Sequence, residues 1–167
     1  MQDYYGGIYS SCIGDIGIMT HQGMLVYVDI FNNNLNTFNK YDIYRNLCED
    51  STSKKAANQI MLYLKGINKT LNIKLSPRGS SFQKAVWEIL LQIPYGETKS
   101  YKDIAIMLGK PNAMRAVGSA CAKNPILLFI PCHRIVNNNG KMGGYRAGLG
   151  IKERLIMLEK SVMLNNF

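Results

Sequence analysis

Pro131, Cys132, His133 and Arg134 follow one another directly, setting a thiol beside an imidazole and a guanidinium. A nearby positive charge or basic imidazole favours thiolate, the form of cysteine that attacks electrophiles. The run therefore reads as a reactive nucleophile, although residues 126–130 just before it are uniformly apolar. Neighbouring side chains in extended chain point to opposite faces, so contact between Cys132 and His133 requires a turn or a bridging water. The other sulfur and imidazole groups are less pointed. Cys121 lies among alanine and glycine and reads as packing or pocket lining, while His21, beside Gln22 and Gly23, reads as solvated surface. Cys12, His21 and Cys48 match no zinc-ligand spacing, so no metal is expected.

The elements that must hold these groups differ between the two halves of the chain. Near the N-terminus, β-branched and aromatic stretches at 4–13, 16–20 and 24–31 alternate with Gly-bearing turns, which predicts an antiparallel meander. Residues 32–39 hold five asparagines and read as a loop. Residues 53–65 predict a helix with Ala57, Ile60, Met61 and Leu64 inward and Gly66 as its stop. A short strand is expected over 71–75, and Ser76-Pro77-Arg78-Gly79 marks a boundary.

Beyond that boundary the pattern is helical. A helix capped by Ser80 or Ser81 is expected over 82–93, with Phe82, Val86, Ile89 and Leu90 inward and Pro94-Tyr95-Gly96 ending it. Two helices follow, over 100–108 and from an Asn112 cap to about Lys123, joined through Gly109-Lys110-Pro111. The second is rich in small residues and in Arg and Lys, which fits a helix-turn-helix. Gly118 within it costs ~1 kcal/mol against alanine, so either another surface approaches closely or helices pack tightly there. Tyr101 is either a core aromatic or a phenol facing phosphate. The Gly-rich stretch 143–148 is a lid or a long connection, with Tyr145 as its large side chain for stacking. A last helix is expected over 149–164. The fold class is thus α+β: a small N-terminal α/β domain with an antiparallel sheet over 1–78, then a mostly helical domain with a helix-turn-helix over 79–167.

Composition sets bounds on function. The 167 residues are 47% hydrophobic and 19% charged, ordinary for a globular chain. Net charge is +9, and residues 81–167 hold 12 basic and 5 acidic groups, most of the excess. A polyanionic partner is the natural expectation. No apolar run is long enough for a transmembrane helix, and the N-terminal residues lack the basic and apolar regions of an export signal. A cytoplasmic protein with four reduced cysteines follows. Neither a dinucleotide-binding glycine motif nor a phosphate-binding loop is present, so no cofactor is expected.

The second half resembles the O6-alkylguanine-DNA alkyltransferases, also called methylated-DNA–protein-cysteine methyltransferases. The resemblance runs through Ser81-Phe82-Gln83, Ile93-Pro94-Tyr95-Gly96-Glu97-Thr98, Ser100-Tyr101, Arg115-Ala116-Val117-Gly118, Asn124-Pro125 and Ile130-Pro131-Cys132-His133-Arg134-Ile135-Val136. It continues through Gly143-Gly144-Tyr145 to Lys152 and Glu159, in the family's order and spacing. The first half matches loosely, around Gly14, the strand at 25–30 and the helix ending Leu64-Lys65-Gly66. By resemblance that half is ribonuclease-H-like.

The resemblance implies repair of duplex DNA containing O6-alkylguanine by a monomer without cofactor, each molecule acting once. Cys132 would take the alkyl group, His133 would deprotonate it through a water and Glu159, and Tyr101 would give a proton towards the guanine ring. Arg115 would fill the gap left by a flipped base, with Tyr101 rotating the nucleotide and Ala116, Gly118, Ser119 and Lys123 on the DNA-facing helix. Asn124 would tie that helix to the cysteine segment. Ile135, Tyr145, Arg146 and Cys121 would complete the pocket, Ile135 and Arg146 through their backbones. Tyr145-Arg146-Ala147-Gly148 departs from the Tyr-Ser-Gly-Gly of many members, which puts the tolerance for larger alkyl groups in question. Two other readings remain: a protein that recognises alkylated DNA without repairing it, disfavoured by Cys132 itself, and a helix-turn-helix transcriptional regulator. A cysteine hydrolase is disfavoured because no oxyanion-hole loop is identifiable.

Overall fold

The structure is a computed structural model that describes residues 4–31 and 38–164. The chain is α+β and divides into two units. The first runs to Pro77 and takes in Pro125–Leu127; the second holds Arg78–Asn124 and the residues from Leu128 onward.

In the first unit, β1 (Tyr4–Tyr9), β2 (Asp15–His21) and β3 (Met24–Phe31) form an antiparallel meander in chain order, as the turn pattern predicts. Ile16, Ile18, Leu25 and Val28 are fully buried beneath it. His21 is not simply solvated surface: it ends β2 opposite Tyr4, and the two rings pack tilted by 33° with centroids 4.8 Å apart. Most of the asparagine-rich stretch read as a loop lies outside the described residues, and its last two positions open α1 (Phe38–Arg45), a helix the sequence pattern does not announce. Tyr44 of α1 is buried, and its hydroxyl donates to Asp29 on β3 at 3.1 Å.

The helix α2 (Ser51–Leu64) starts from an Asp50 cap closed reciprocally with Ser53. Its buried face is Ser53, Ala56, Ala57, Ile60 and Tyr63, one residue row away from the expected one, with Met61 and Leu64 only half-buried. The strand expected at 71–75 reduces to a bridge between Leu75 and Leu25. Residues 125–127, though distant in sequence, pair with the meander. The Val28 amide donates to the Pro125 carbonyl at 2.9 Å and the Leu127 amide to the Val28 carbonyl at 3.2 Å. Leu128, where the chain leaves that bridge, takes φ 70°, a conformation that β-carbon sterics disfavour outside glycine.

The second unit begins with α3 (Ser81–Leu90), capped by Ser80 with Gln83 reaching back. Its buried residues are Val86, Trp87 and Leu90, while Phe82 and Ile89 are half-buried. The helix-turn-helix consists of α4 (Tyr101–Met107) and α5 (Met114–Ala122). α4 ends in a Schellman arrangement, the Lys110 amide bonding Ala105 and the Gly109 amide bonding Ile106, with Gly109 at φ 68°. Only a residue tolerant of that left-handed conformation makes so short a turn. Asn112 does not cap α5. The cap position is Ala113, with no side-chain hydrogen bond. Two two-residue strands, β4 (Lys99–Ser100) and β5 (Ile135–Val136), pair in parallel and hold the segment after Cys132 against the start of α4. The last helix, α6 (Leu149–Leu164), buries Ile151, Lys152, Leu155, Ile156 and Glu159 on one face.

Trp87 locks α3 to α5, for its indole Nε1 donates to the Ala120 carbonyl at 3.0 Å from a fully buried position. Trp87→Phe removes both ring volume and that donor, and should destabilise the protein by ~1–3 kcal/mol. The change is read as a lower denaturant midpoint with an unchanged slope.

Candidate active site

Cys132 opens a 3-10 turn, Cys132–Arg134, that follows the buried run at 126–130. The Ile135 amide closes the turn by donating to the Cys132 carbonyl. A turn at this point directs the three side chains to three different environments. Asn124, fully buried at the end of α5, donates through Nδ2 to the Ile130 carbonyl at 2.8 Å and to Cys132 Sγ at 3.0 Å. His133 Nε2 meets Glu159 Oε1 at 2.8 Å. Arg134 Nε lies 3.1 and 3.0 Å from the two Glu159 oxygens, its NH2 group 3.0 Å from Oε1, and its NH1 group donates to the Ile93 carbonyl at 2.6 Å. The Gly96 amide completes the set on Glu159 Oε2 at 2.8 Å.

The electrostatics correct one expectation. Burial pushes the Cys132 thiol up; the Asn124 hydrogen bond and the charges of Arg146 and Lys152 offset that only in part. Resting Cys132 is therefore a thiol at neutral pH, not a thiolate held by its sequence neighbours. Arg134 is committed to Glu159 instead. Burial also lowers the His133 pKa against the pull of Glu159, so the ring rests neutral, as a base must. Burial alone would raise the Glu159 carboxyl, but His133 and Arg134 together bring it down to about 2.

Cys132 is in the wall of a cavity of about 360 Å³ with Tyr101, Gly118, Cys121, Tyr145 and Arg146. The Tyr101 phenol is pushed up by burial and by its nearness to Cys121 and Cys132, which keeps it protonated and able to donate. The Tyr145 pKa is raised further, again by burial, and its ring stands edge-on to His133 with centroids 6.4 Å apart. A second concavity of about 460 Å³ adjoins, lined by Tyr101, Gly118, Met114, Arg115 and residues 137–139. Gly118 belongs to both. A methyl group there would touch only the Tyr101 ring, at 3.7 Å, so tight helix packing is not what requires this glycine.

The structure thus gathers Cys132, Tyr101, Cys121, Tyr145 and Arg146 around one cavity, with Asn124 on the sulfur and His133 and Glu159 paired behind it. Ala116, Ser119 and Lys123 do not line it; with Arg115 they form the exposed face of α5. Ile135 is buried in β5 and does not line it either. Three contributors have roles that the sequence reading did not give them. Arg134 reaches both oxygens of the Glu159 carboxylate. Lys152 is buried and donates to the carbonyls of Gly143 and Gly144 at 3.2 and 3.4 Å, pinning the glycine-rich loop. Gly143 gives that loop its approach to Tyr101, for a β-carbon there would stand 2.5 Å from the phenol oxygen. A signal for Lys152 did exist: Lys152 and Glu159 lie seven residues apart on the apolar face of α6, where unpaired charges are not tolerated.

The Glu159 pairing predicts a pH response. Its carboxyl is depressed in the folded state, so its stabilisation is full above about pH 4.3, the unfolded value, and is lost as pH falls towards about 2. Glu159→Gln leaves Arg134 without its counter-charge, and should cost ~3–5 kcal/mol at neutral pH. It should also flatten the acid limb of stability, as measured by denaturant unfolding across a pH series.

Residues 81–161 match the family described as 6-O-methylguanine DNA methyltransferase, DNA binding domain. The methylated-DNA–protein-cysteine methyltransferase of Methanosarcina barkeri is 50% identical over 108 residues, 65% of this chain and 68% of the relative. Among solved structures, Mycobacterium tuberculosis OGT in complex with DNA superposes with a TM-score of 0.82 at 35% identity, covering 95% of this chain and 94% of that one. The Methanosarcina acetivorans methyltransferase is 40% identical over 158 residues, 94% of this chain and 99% of its own length. That agreement takes in both units rather than the helical one alone, and it places the whole chain: it belongs to the methylated-DNA–protein-cysteine methyltransferase family.

Proposed function

We propose that the protein repairs duplex DNA by transferring an alkyl group, methyl above all, from O6 of guanine to Cys132, each molecule acting once. The observation that carries this reading is the placement of Cys132. Its sulfur is buried, held by Asn124, and exposed to a cavity within the ~300–1,000 Å³ range of small-molecule sites, into which a flipped base fits. The basic excess of the second half and the exposed α5 face of Arg115, Ala116, Ser119 and Lys123 supply a surface for the duplex. Small side chains on that face allow the helix backbone close to the DNA, and Arg115 is long enough to fill the space a flipped base vacates. The relative solved with DNA supports a nucleic-acid partner.

In the transfer step the thiol proton passes to His133, through Nδ1 and a water, because Nε2 is held by Glu159. The sulfur lone pair attacks the alkyl carbon in line, the carbon–O6 bond breaks, and its electrons return to the guanine ring. Tyr101 donates a proton to that ring as the oxygen leaves and takes one back from water, while His133 releases the thiol proton to water, so the net change moves one proton from the thiol to guanine and charge balances. The imidazolium that forms is stabilised by the Glu159 carboxylate beside it. A thioether gives water no easy leaving group, so Cys132 is not regenerated.

Incubation with a duplex containing O6-methylguanine should add one methyl group to the protein, on the peptide bearing Cys132. An unchanged intact mass, with folded protein and verified substrate, would falsify the reading. Cys132→Ser should abolish transfer and retain DNA binding. Gly143→Ala drives a β-carbon into the Tyr101 phenol, and should slow single-turnover transfer by ~10–100-fold through misplacement of the proton donor.

A further inference from the structure

The Cys132 cavity has a neighbour that the transfer step leaves unused. The concavity of about 460 Å³ lined by Arg115 and residues 137–139 shares Tyr101 and Gly118 with it, so one opens beside the other. One wall of this second concavity is the tip of a hairpin. Val136 bridges Met142, the Asn137 amide donates to the Lys141 carbonyl at 2.9 Å, and the Gly140 amide donates to the Asn137 carbonyl at 2.9 Å, with Gly140 at φ 75°. The tip is anchored to the site, because β5 leads into it and pairs with β4, the strand directly before Tyr101. Asn137, Asn138 and Asn139 are all exposed there. The Asn139 side-chain oxygen accepts from the Lys141 amide at 3.1 Å. A backbone N–H can meet only the oxygen of that side chain, so its NH2 group is the end the turn does not use. No Asp or Glu is among the described residues lining this concavity.

Building on the proposed transfer reaction, we infer that this concavity seats the sugar–phosphate of the flipped nucleotide, and that the Asn139 NH2 group donates to a phosphate flanking the damaged guanine. A base that enters the Cys132 cavity carries its deoxyribose and phosphates with it, and they must lie where that cavity adjoins the surface. The two volumes meet at Tyr101 and Gly118, which makes the second one the space next to the base. Phosphate oxygens accept and do not donate. They match a wall that offers an NH2 group and the Arg115 guanidinium and no carboxylate. Such a contact is available only once the nucleotide has left the stack, so it favours the flipped state over the paired one. Asn139 is then a positioning residue: it holds the nucleotide and never touches the reacting atoms.

The test is single-turnover methyl transfer, read by intact mass, from O6-methylguanine duplexes in which one phosphate is replaced by a neutral methylphosphonate. The replacement is placed 5′ or 3′ of the lesion, or several nucleotides away as a control. In the wild-type protein one flanking replacement should slow transfer by on the order of tenfold, against little change at the control position. Asn139→Asp keeps an oxygen for the Lys141 amide and turns the outward donor into an acceptor, so in that variant the same replacement should no longer slow transfer. Each ratio is taken within one protein, so a general loss of activity or stability cancels. A wild-type protein slowed no more by either flanking replacement than by the control overturns the inference without any variant. A ratio in Asn139→Asp equal to that of the wild type overturns it as well. Absence of transfer from the unsubstituted O6-methylguanine duplex would instead strike the underlying reaction, so the two failures are separable.

Discussion

A carboxylate can remain ionised inside a protein only where donors replace the water it has lost, and Glu159 is such a case. It is 1% exposed and receives Arg134, His133 and the Gly96 amide. Those donors come from the 3-10 turn at Cys132–Arg134 and from the turn after α3, while Glu159 itself comes from α6. One buried charge therefore joins three segments far apart in sequence. Because truncating either side of such a pair strands the other, the three segments are held in one arrangement. Arg134 then also reaches the Ile93 carbonyl, which fixes the end of α3 to the same hub.

The hub sets the chemistry as much as the packing. With Arg134 absorbed by Glu159, the cysteine loses the cation that adjacency in sequence offers it, and burial leaves it a thiol. Neutral cysteine and neutral histidine are the resting pair, so separated charge develops only when the proton moves. The Glu159 carboxylate is already in place for that moment and needs no reorganisation. Such a site spares the thiol from adventitious alkylation in the absence of a seated substrate. That suits a protein whose nucleophile is consumed on the proposed reading.

Much of this was legible in residue types and spacing. The β1–β3 meander, the α2 and α6 spans, the Ser80 cap and the helix-turn-helix all follow from local patterns of period two or 3.6 and from turn residues. What escaped has no local signal. Residues 125–127 are apolar in any reading, but their return to pair with β3 is a tertiary choice. Trp87 takes the core place expected of Phe82 and Ile89 because its indole finds the Ala120 carbonyl, and the α2 inner face rotates to bury Tyr63 for a comparable reason of volume. In the site, Cys132, His133 and Tyr101 were visible by type, whereas Arg134 was assigned to the wrong partner. Adjacency in sequence says which groups are close along the chain; a 3-10 turn decides which way each one points.

The helix α5 shows how few residues carry the coupling between surface and site. Its exposed residues include Arg115, Ala116 and Ser119, with Lys123 exposed just past its end, while Val117, Ala120 and Cys121 are buried and Asn124 follows on the sulfur. A single helix of about 13 Å, at 1.5 Å per residue, therefore presents one face outward and fixes Cys132 from the other. Gly118 lies between those faces and shares both concavities with Tyr101. The Tyr101 ring thus separates a surface lined by Arg115 from a cavity lined by Cys132. On the proposed reading, a duplex seated at the first concavity meets the same phenol that gives a proton in the second. Gly143, with no side chain to hold that ring elsewhere, and Lys152, which pins Gly143, keep the phenol where both concavities meet. If Tyr101 gives the proton, as proposed, its alignment is thereby set by the Gly143 loop and by Lys152 rather than by the cysteine's own segment.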